Sequence, residues 1–153
     1  MTDLDLVRVT QAGLPLEQRP YAAIAAQVGA SEDEVMRCLN RMLADGRIRR
    51  IAAVPNHYAL GYRANGMSVW DVDDDAIAEL GPRVGALPFV SHCYRRPRRA
   101  GWPYNLFAMV HGRDRAEVEA KVAKIAALLG IASRRNEVLY SKRILKKTGL
   151  RIR

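Results

Sequence analysis

A chain of 153 residues that is 49% hydrophobic can bury one or two small cores. Its 25 Lys and Arg against 16 Asp and Glu give a net charge of +9, which invites a nucleic-acid reading. No apolar run approaches the ~20 residues of a membrane span, and the acidic start MTDLDLVRV lacks the basic and apolar regions of a signal peptide. Cys38 and Cys93 form no CxxC or metal-ligand spacing, so reduced thiols in a cytoplasmic protein are expected.

In chain order, residues 3–12 suit a first helix stopped by Gly13. Tyr21, Ile24, Ala25 and Val28 recur at helical spacing, and Gly29 ends that helix. Ser31-x-x-Glu34 is a capping box that starts a third helix, with Val35, Leu39, Met42 and Leu43 as its apolar stripe. The run RIRRIAAVP reads as a strand ended by Pro55. Helix, turn, helix and strand make a winged helix-turn-helix over residues 1–63. A DNA reader of this type puts the start of its second helix into the major groove. Here that start is Ser31, Glu32, Asp33 and Glu34, and three acids repel phosphates. Residues 1–64 hold 8 basic and 7 acidic side chains, and residues 65–153 hold 17 and 9, so the basic excess belongs to the second half. Both facts argue against DNA binding.

Residues 64–153 read as strand, helix, strand, strand, helix, strand. Residues 64–72 form the first strand, and Asp73, Asp74 and Asp75 favour a helix start. Ile77, Leu80 and Val84 stripe that helix, with Gly81-Pro82 as a possible break. Strands follow at residues 89–96 and 104–111, joined by a loop containing Gly101. Asp114-x-x-Glu117 opens a helix striped by Val118, Val122, Ile125 and Leu129 and capped by Gly130, and residues 137–145 form a last strand. The expected fold is α+β, a winged helix-turn-helix (1–63) followed by a ferredoxin-like βαββαβ domain (64–153).

The chemistry concentrates in residues 89–112, FVSHCYRRPRRAGWPYNLFAMVHG. This window holds His92 and His111, the arginines Arg95, Arg96, Arg98 and Arg99, and the aromatics Tyr94, Trp102, Tyr104 and Phe107. Strand alternation puts Leu106, Ala108 and Val110 on one face, assigned to the helices, and Asn105, Phe107, Met109 and His111 on the open one. Whether His92, Tyr94 and Arg96 or Ser91, Cys93 and Arg95 share that open face is undetermined by the sequence. An apolar, aromatic face with histidines and arginine forks suits a flat, hydrophobic polyanion, such as a porphyrin-type macrocycle with many carboxylates. No P-loop, GxGxxG, HExxH, GxSxG or zinc spacing is present.

Three segments carry a family resemblance: HYALGYRANGMSVWDV (57–72), FVSHCYRRPRRAGWPYNLFAMVHGRD (89–114) and EVLYSKRILKKTGLR (137–151). Together with the domain order they resemble the siroheme decarboxylase subunits of the haem d1 and alternative haem pathways, a branch of the Lrp/AsnC superfamily. The resemblance implies a carboxy-lyase that removes two acetate carboxyls of siroheme to give 12,18-didecarboxysiroheme. It implies siroheme as substrate with its own iron, no further cofactor, no protein metal site, and a homodimer or a heteromer of homologous subunits. On this reading His111, then His92, then His57 are the candidate proton donors, and one of them is a possible axial ligand of the substrate iron. Arg95 and Arg96 clamp carboxylates, with Arg63, Arg98 or Arg99 as helpers. Tyr94, Trp102, Asn105, Phe107 and Met109 contact the ring. The alternatives are a DNA-binding regulator of the Lrp/AsnC type and a non-catalytic partner subunit.

Overall fold

The computed structural model describes residues 1–143, 145, 146, 151 and 152. It divides into two compact units, one of residues 1–54 with 145–153 and one of residues 55–144. Residues 55–63, with His57 among them, therefore group with the second unit. Among the described residues no helix is long and apolar enough to cross a membrane.

The first unit contains α1 (Asp3–Thr10), α2 (Pro20–Val28) and α3 (Glu32–Ala44). Their apolar stripes close a small core on Leu6, Ile24, Val35, Leu39 and Met42. Gly29 turns the chain between α2 and α3 in the left-handed region (φ 65°), where a side chain would be strained. The capping box is reciprocal: Ser31 Oγ accepts the Glu34 N–H, and the Glu34 carboxylate accepts the Ser31 N–H at 2.8 Å. These bonds hold the Glu34 carboxyl below its ordinary range.

The expected strand at RIRRIAAVP does not form. Residues 47–55 have no strand assignment, and Ile51 and Val54 are exposed. Only Ile48 reaches the small core. With no neighbouring strand among the described residues to take its backbone hydrogen bonds and two of its apolar side chains exposed, the segment gains nothing from extended pairing. Among the described residues the helix-turn-helix is present without its wing. Two arginines near α3 are also committed to acids: Arg41 pairs with Asp3, and Arg47 pairs with Asp3 and Asp45.

The second unit is a four-stranded antiparallel sheet in the order β2-β3-β1-β4 with two helices on one face. Its strands are β1 (Ala64–Val72), β2 (Val90–Arg95), β3 (Leu106–Gly112) and β4 (Ser133–Tyr140), and its helices are α4 (Ile77–Gly85) and α5 (Arg115–Leu129). Helix α4 starts after Ala76, later than the three aspartates suggest, and runs through Pro82 without ending. Asp114 caps α5 as expected by accepting the Glu117 N–H, but the Glu117 carboxylate receives the N–H of Arg113, so this box is not closed on itself. Strand β4 begins four residues earlier than expected and ends at Tyr140. Ile144, within the expected strand, lies outside the described residues.

The helix-side core gathers Trp70 and Val72 from β1, Leu106, Ala108 and Val110 from β3, Ile77 and Val84 from α4, and Val118, Ile125 and Leu129 from α5. The buried Trp70 indole N–H donates to Ser68 Oγ, whose own hydroxyl donates to the Ala108 carbonyl. These two polar groups are thus satisfied inside the core. Gly66 marks the tightest approach: a Cβ there would lie 2.8 Å from Val138 and 2.9 Å from Val118.

Candidate active site on the open sheet face

The register across the sheet fixes which side chains face away from the helices. Asn65 pairs with His111, Met67 with Met109 and Val69 with Phe107 across β1 and β3. Strand β3 alternates as expected, with Leu106, Ala108 and Val110 buried and Phe107, Met109 and His111 partly open. Strand β2 resolves what alternation alone leaves undecided. Val90 pairs with Val110 but His92 pairs with Met109, so Ser91 is an extra residue in a bulge. Past the bulge Tyr94 faces Phe107, while Cys93 faces Ala108 and Arg95 faces Leu106.

His92, Tyr94 and Arg96 thus share the open face with Phe107, Met109 and His111. Arg95 does not. It borders a separate helix-side cavity of about 380 Å³ with Ile77, Gly81 and Cys93. Burial there pushes the Cys93 thiol pKa up. The arginine pair of the sequence is split between the two faces of the sheet because adjacent residues of an extended chain point in opposite directions.

His111 is held at both ring nitrogens. Its Nδ1 lies 2.5 Å from Asn65 Oδ1 and its Nε2 lies 2.8 Å from Ser91 Oγ. A carbonyl oxygen only accepts, so Nδ1 carries a proton toward Asn65. Nε2 then accepts the Ser91 hydroxyl when the ring is neutral and donates when it is charged. The His57 ring sits 5.4 Å from that of His111, edge-on, and 4.5 Å from that of Tyr58. The His57 carbonyl accepts the Tyr62 N–H, closing the turn that carries it. His92 stacks on Tyr94 with ring centroids 6.0 Å apart.

Beyond Phe107 the face ends in a groove of about 380 Å³ lined by Met67, Tyr94, Arg96, Arg99, Trp102 and Phe107. The Arg96 guanidinium lies 5.6 Å from the Tyr94 ring centre and 5.9 Å from that of Phe107. Trp102 and Tyr104 meet edge to face at 5.0 Å. The buried Tyr104 hydroxyl donates to the Glu137 carboxylate, which raises the phenol pKa. The loop tip closes on paired backbone bonds between Arg99 and Trp102, with Gly101 at φ 72°.

Arg98 turns away from the groove and braces it. Its guanidinium donates to Asp71 Oδ1 at 2.8 and 3.1 Å, to the Val72 carbonyl at 2.6 Å and to Asp74 Oδ1 at 2.6 Å. This holds the Asp74 carboxyl below its ordinary range and raises that of the guanidinium. Asn105 precedes β3 and turns inward instead of joining the open face. Its amide oxygen accepts the Val72 N–H at 2.9 Å and its nitrogen donates to the Val72 carbonyl at 2.7 Å. Arg63 stands just before β1, exposed, at the end of the face away from the groove. Asn65 and Ser91 were not among the candidates. Alternation along β1 points to Asn65 once its register is known, whereas nothing local marks Ser91 as a bulge. Among the described residues no three His, Cys, Asp or Glu side chains gather as metal ligands.

Comparison with known proteins agrees with this architecture. The profile of the AsnC-like ligand binding domain matches residues 59–146, and that of the siroheme decarboxylase NirDL-like HTH domain matches residues 3–49. The siroheme decarboxylase NirH subunit of Stutzerimonas stutzeri is 62% identical over 96% of this chain and 88% of its own length. The NirH subunit of Paracoccus pantotrophus is 61% identical over 99% and 95%. A crystal structure of the siroheme decarboxylase NirDL in complex with an iron-uroporphyrin III analogue aligns at 36% identity and a TM-score of 0.62, covering 97% of this chain and 45% of that one. Escherichia coli AsnC aligns at a TM-score of 0.77 but 15% identity, which marks a common fold. By its identity to the NirH subunits over nearly its full length, the chain belongs to the siroheme decarboxylase family.

Proposed function

We propose that this chain is a subunit of a siroheme decarboxylase that removes the carboxyls of two acetate side chains, giving 12,18-didecarboxysiroheme and CO2 on a route to haem d1 or haem. The observation that carries the reading is His111, held at both nitrogens on an apolar sheet face that runs into an arginine-edged groove. Loss of CO2 from an acetate leaves its electron pair on the methylene. The macrocycle delocalises that pair, so the substrate acts as its own electron sink. One proton then converts each methylene to a methyl group. His111 in its charged form donates that proton from Nε2, and Asn65 keeps the ring turned for the transfer. The apolar neighbours Met67, Phe107 and Met109 exclude water from the reacting carboxylate. His92 and His57 are the second and third candidates for the same task.

Arg96 and Arg99 suit the carboxylates that remain, and Tyr94, Trp102 and Phe107 suit the ring. On this geometry Arg96→Ala weakens siroheme binding roughly tenfold, whereas Arg95→Ala changes it little. An anaerobic absorbance titration reads both, and equal losses would contradict the split of the pair across the sheet. A tetrapyrrole macrocycle is larger than a groove of about 380 Å³, so a second wall is needed. A homologous subunit or a second copy supplies it, in keeping with relatives that are named as subunits. The iron belongs to the substrate, and no further cofactor is invoked.

Anaerobic incubation with siroheme, followed by mass analysis, tests the reading. The expected product has lost two carboxyls as CO2. Unchanged siroheme, with the chain tested both alone and with its homologous subunits, would overturn it.

A further inference from the structure

Past His111, the end of the sheet opposite the groove carries a second basic group. Arg63 precedes Ala64 and Arg113 follows Gly112, the last pair of the β1–β3 ladder, so both arginines flank that end of the sheet. Among the described residues neither side chain makes an ion pair, although Asp114 and Glu117 are near. Asp114 accepts the Glu117 N–H as the cap of α5, and the oxygens of Glu117 go to the Arg113 N–H and to Lys121 Nζ. A third guanidinium, Arg115, lies 4.6 Å from the centre of the Tyr140 ring. A cavity of about 260 Å³ opens among Arg63, Asn65, Arg113, Asp114, Arg115 and Tyr140, so three guanidinium groups share its lining with one carboxylate, that of the α5 cap.

We infer that this cavity is an anion subsite that takes carboxylate arms of the macrocycle on the side of His111 away from Arg96 and Arg99. The inference rests on the proposed tetrapyrrole substrate. Residues 107 to 111 span about 14 Å at the usual rise of an antiparallel strand. An apolar strip of that length, closed by arginines at both ends, matches a flat ring with carboxylates on opposed edges. A carboxylate seated there gains charge-assisted bonds from the guanidinium groups that line the cavity. Asn65 connects the subsite to the donor, because it lines the cavity while its Oδ1 accepts from His111 Nδ1. An arm seated there sets the position of the ring relative to the donated proton.

The test is an anaerobic absorbance titration of the full chain, in the assembly in which it purifies, with two iron macrocycles. Iron uroporphyrin carries acetate and propionate arms all round, and iron mesoporphyrin carries propionates on one edge only. The double variant Arg63→Gln/Arg113→Gln changes two exposed side chains and keeps the fold. It is expected to bind iron uroporphyrin about tenfold more weakly or worse, with little change for iron mesoporphyrin. Equal weakening for both, or none for either, overturns the subsite while leaving the substrate class intact. Failure of the wild-type chain to bind either macrocycle removes the substrate reading and the subsite with it.

Discussion

His111→Ala is expected to lower single-turnover decarboxylation of siroheme by about 10²- to 10⁴-fold, the usual worth of a positioned general acid. Siroheme binding should change far less, because the arginines and the aromatic groove are untouched. The size of the effect follows from how the ring is held. Asn65 fixes the Nδ1 proton, so Nε2 is the nitrogen that can give and regain a proton, and Ser91 lies 2.8 Å from it. Alanine removes the donor and leaves Asn65 Oδ1 without the N–H it accepts. His92→Ala, which loses a ring stacked on Tyr94, should cost less. Rapid-quench product analysis under anaerobic conditions separates the two variants. If His111→Ala turns over at the wild-type rate, the donor lies elsewhere, and a large loss in His92→Ala would name it.

Arg98→Ala should destabilise the second unit by about 2–4 kcal/mol, toward the range for breaking a buried ion pair, lowered because the arginine is partly exposed. Its guanidinium meets Asp71, whose side chain is only 7% exposed, and it also holds the Val72 carbonyl and Asp74. Removing it strands a nearly buried carboxylate and releases the loop that carries Arg96, Arg99 and Trp102. A stability loss and weaker siroheme binding should therefore appear together. Arg98→Lys should recover only part of either, because an ammonium group cannot make the forked contact with Asp71 and still reach Asp74. Urea unfolding and an anaerobic siroheme titration check the pair of effects. Wild-type stability in Arg98→Ala would show that the brace contributes nothing.

Legibility in the sequence followed the range of the interactions involved. Both helix starts with Ser or Asp caps were readable because a cap is decided within four residues, as Ser31 and Glu34 show. The β3 strand was readable because one face is buried and the alternation is strict. The wing failed for the converse reason: RIRRIAAVP reads as a strand, yet among the described residues no partner strand lies beside it. The face of β2 was hidden because the bulge at Ser91 depends on pairing with β3 and leaves no local mark. Asn105 was misplaced by extending β3 two residues too far, where the chain already turns in toward Val72. The support of His111 was equally out of reach, since Asn65 and Ser91 are far from it along the chain and close only through the register.

The bulge also makes the ligand face a matter of counting. Without the bulge, Ser91 would pair with Met109, and every later residue of β2 would turn over. Cys93 and Arg95 would then look outward, and His92 and Tyr94 would press into the helices. The bulge exchanges a thiol surface for an imidazole and phenol surface without altering the composition of the strand. Among relatives, a gap at Ser91 would remove the bulge yet keep His92 and Tyr94 on the ligand face, whereas the same residues paired without a bulge would present a different chemistry.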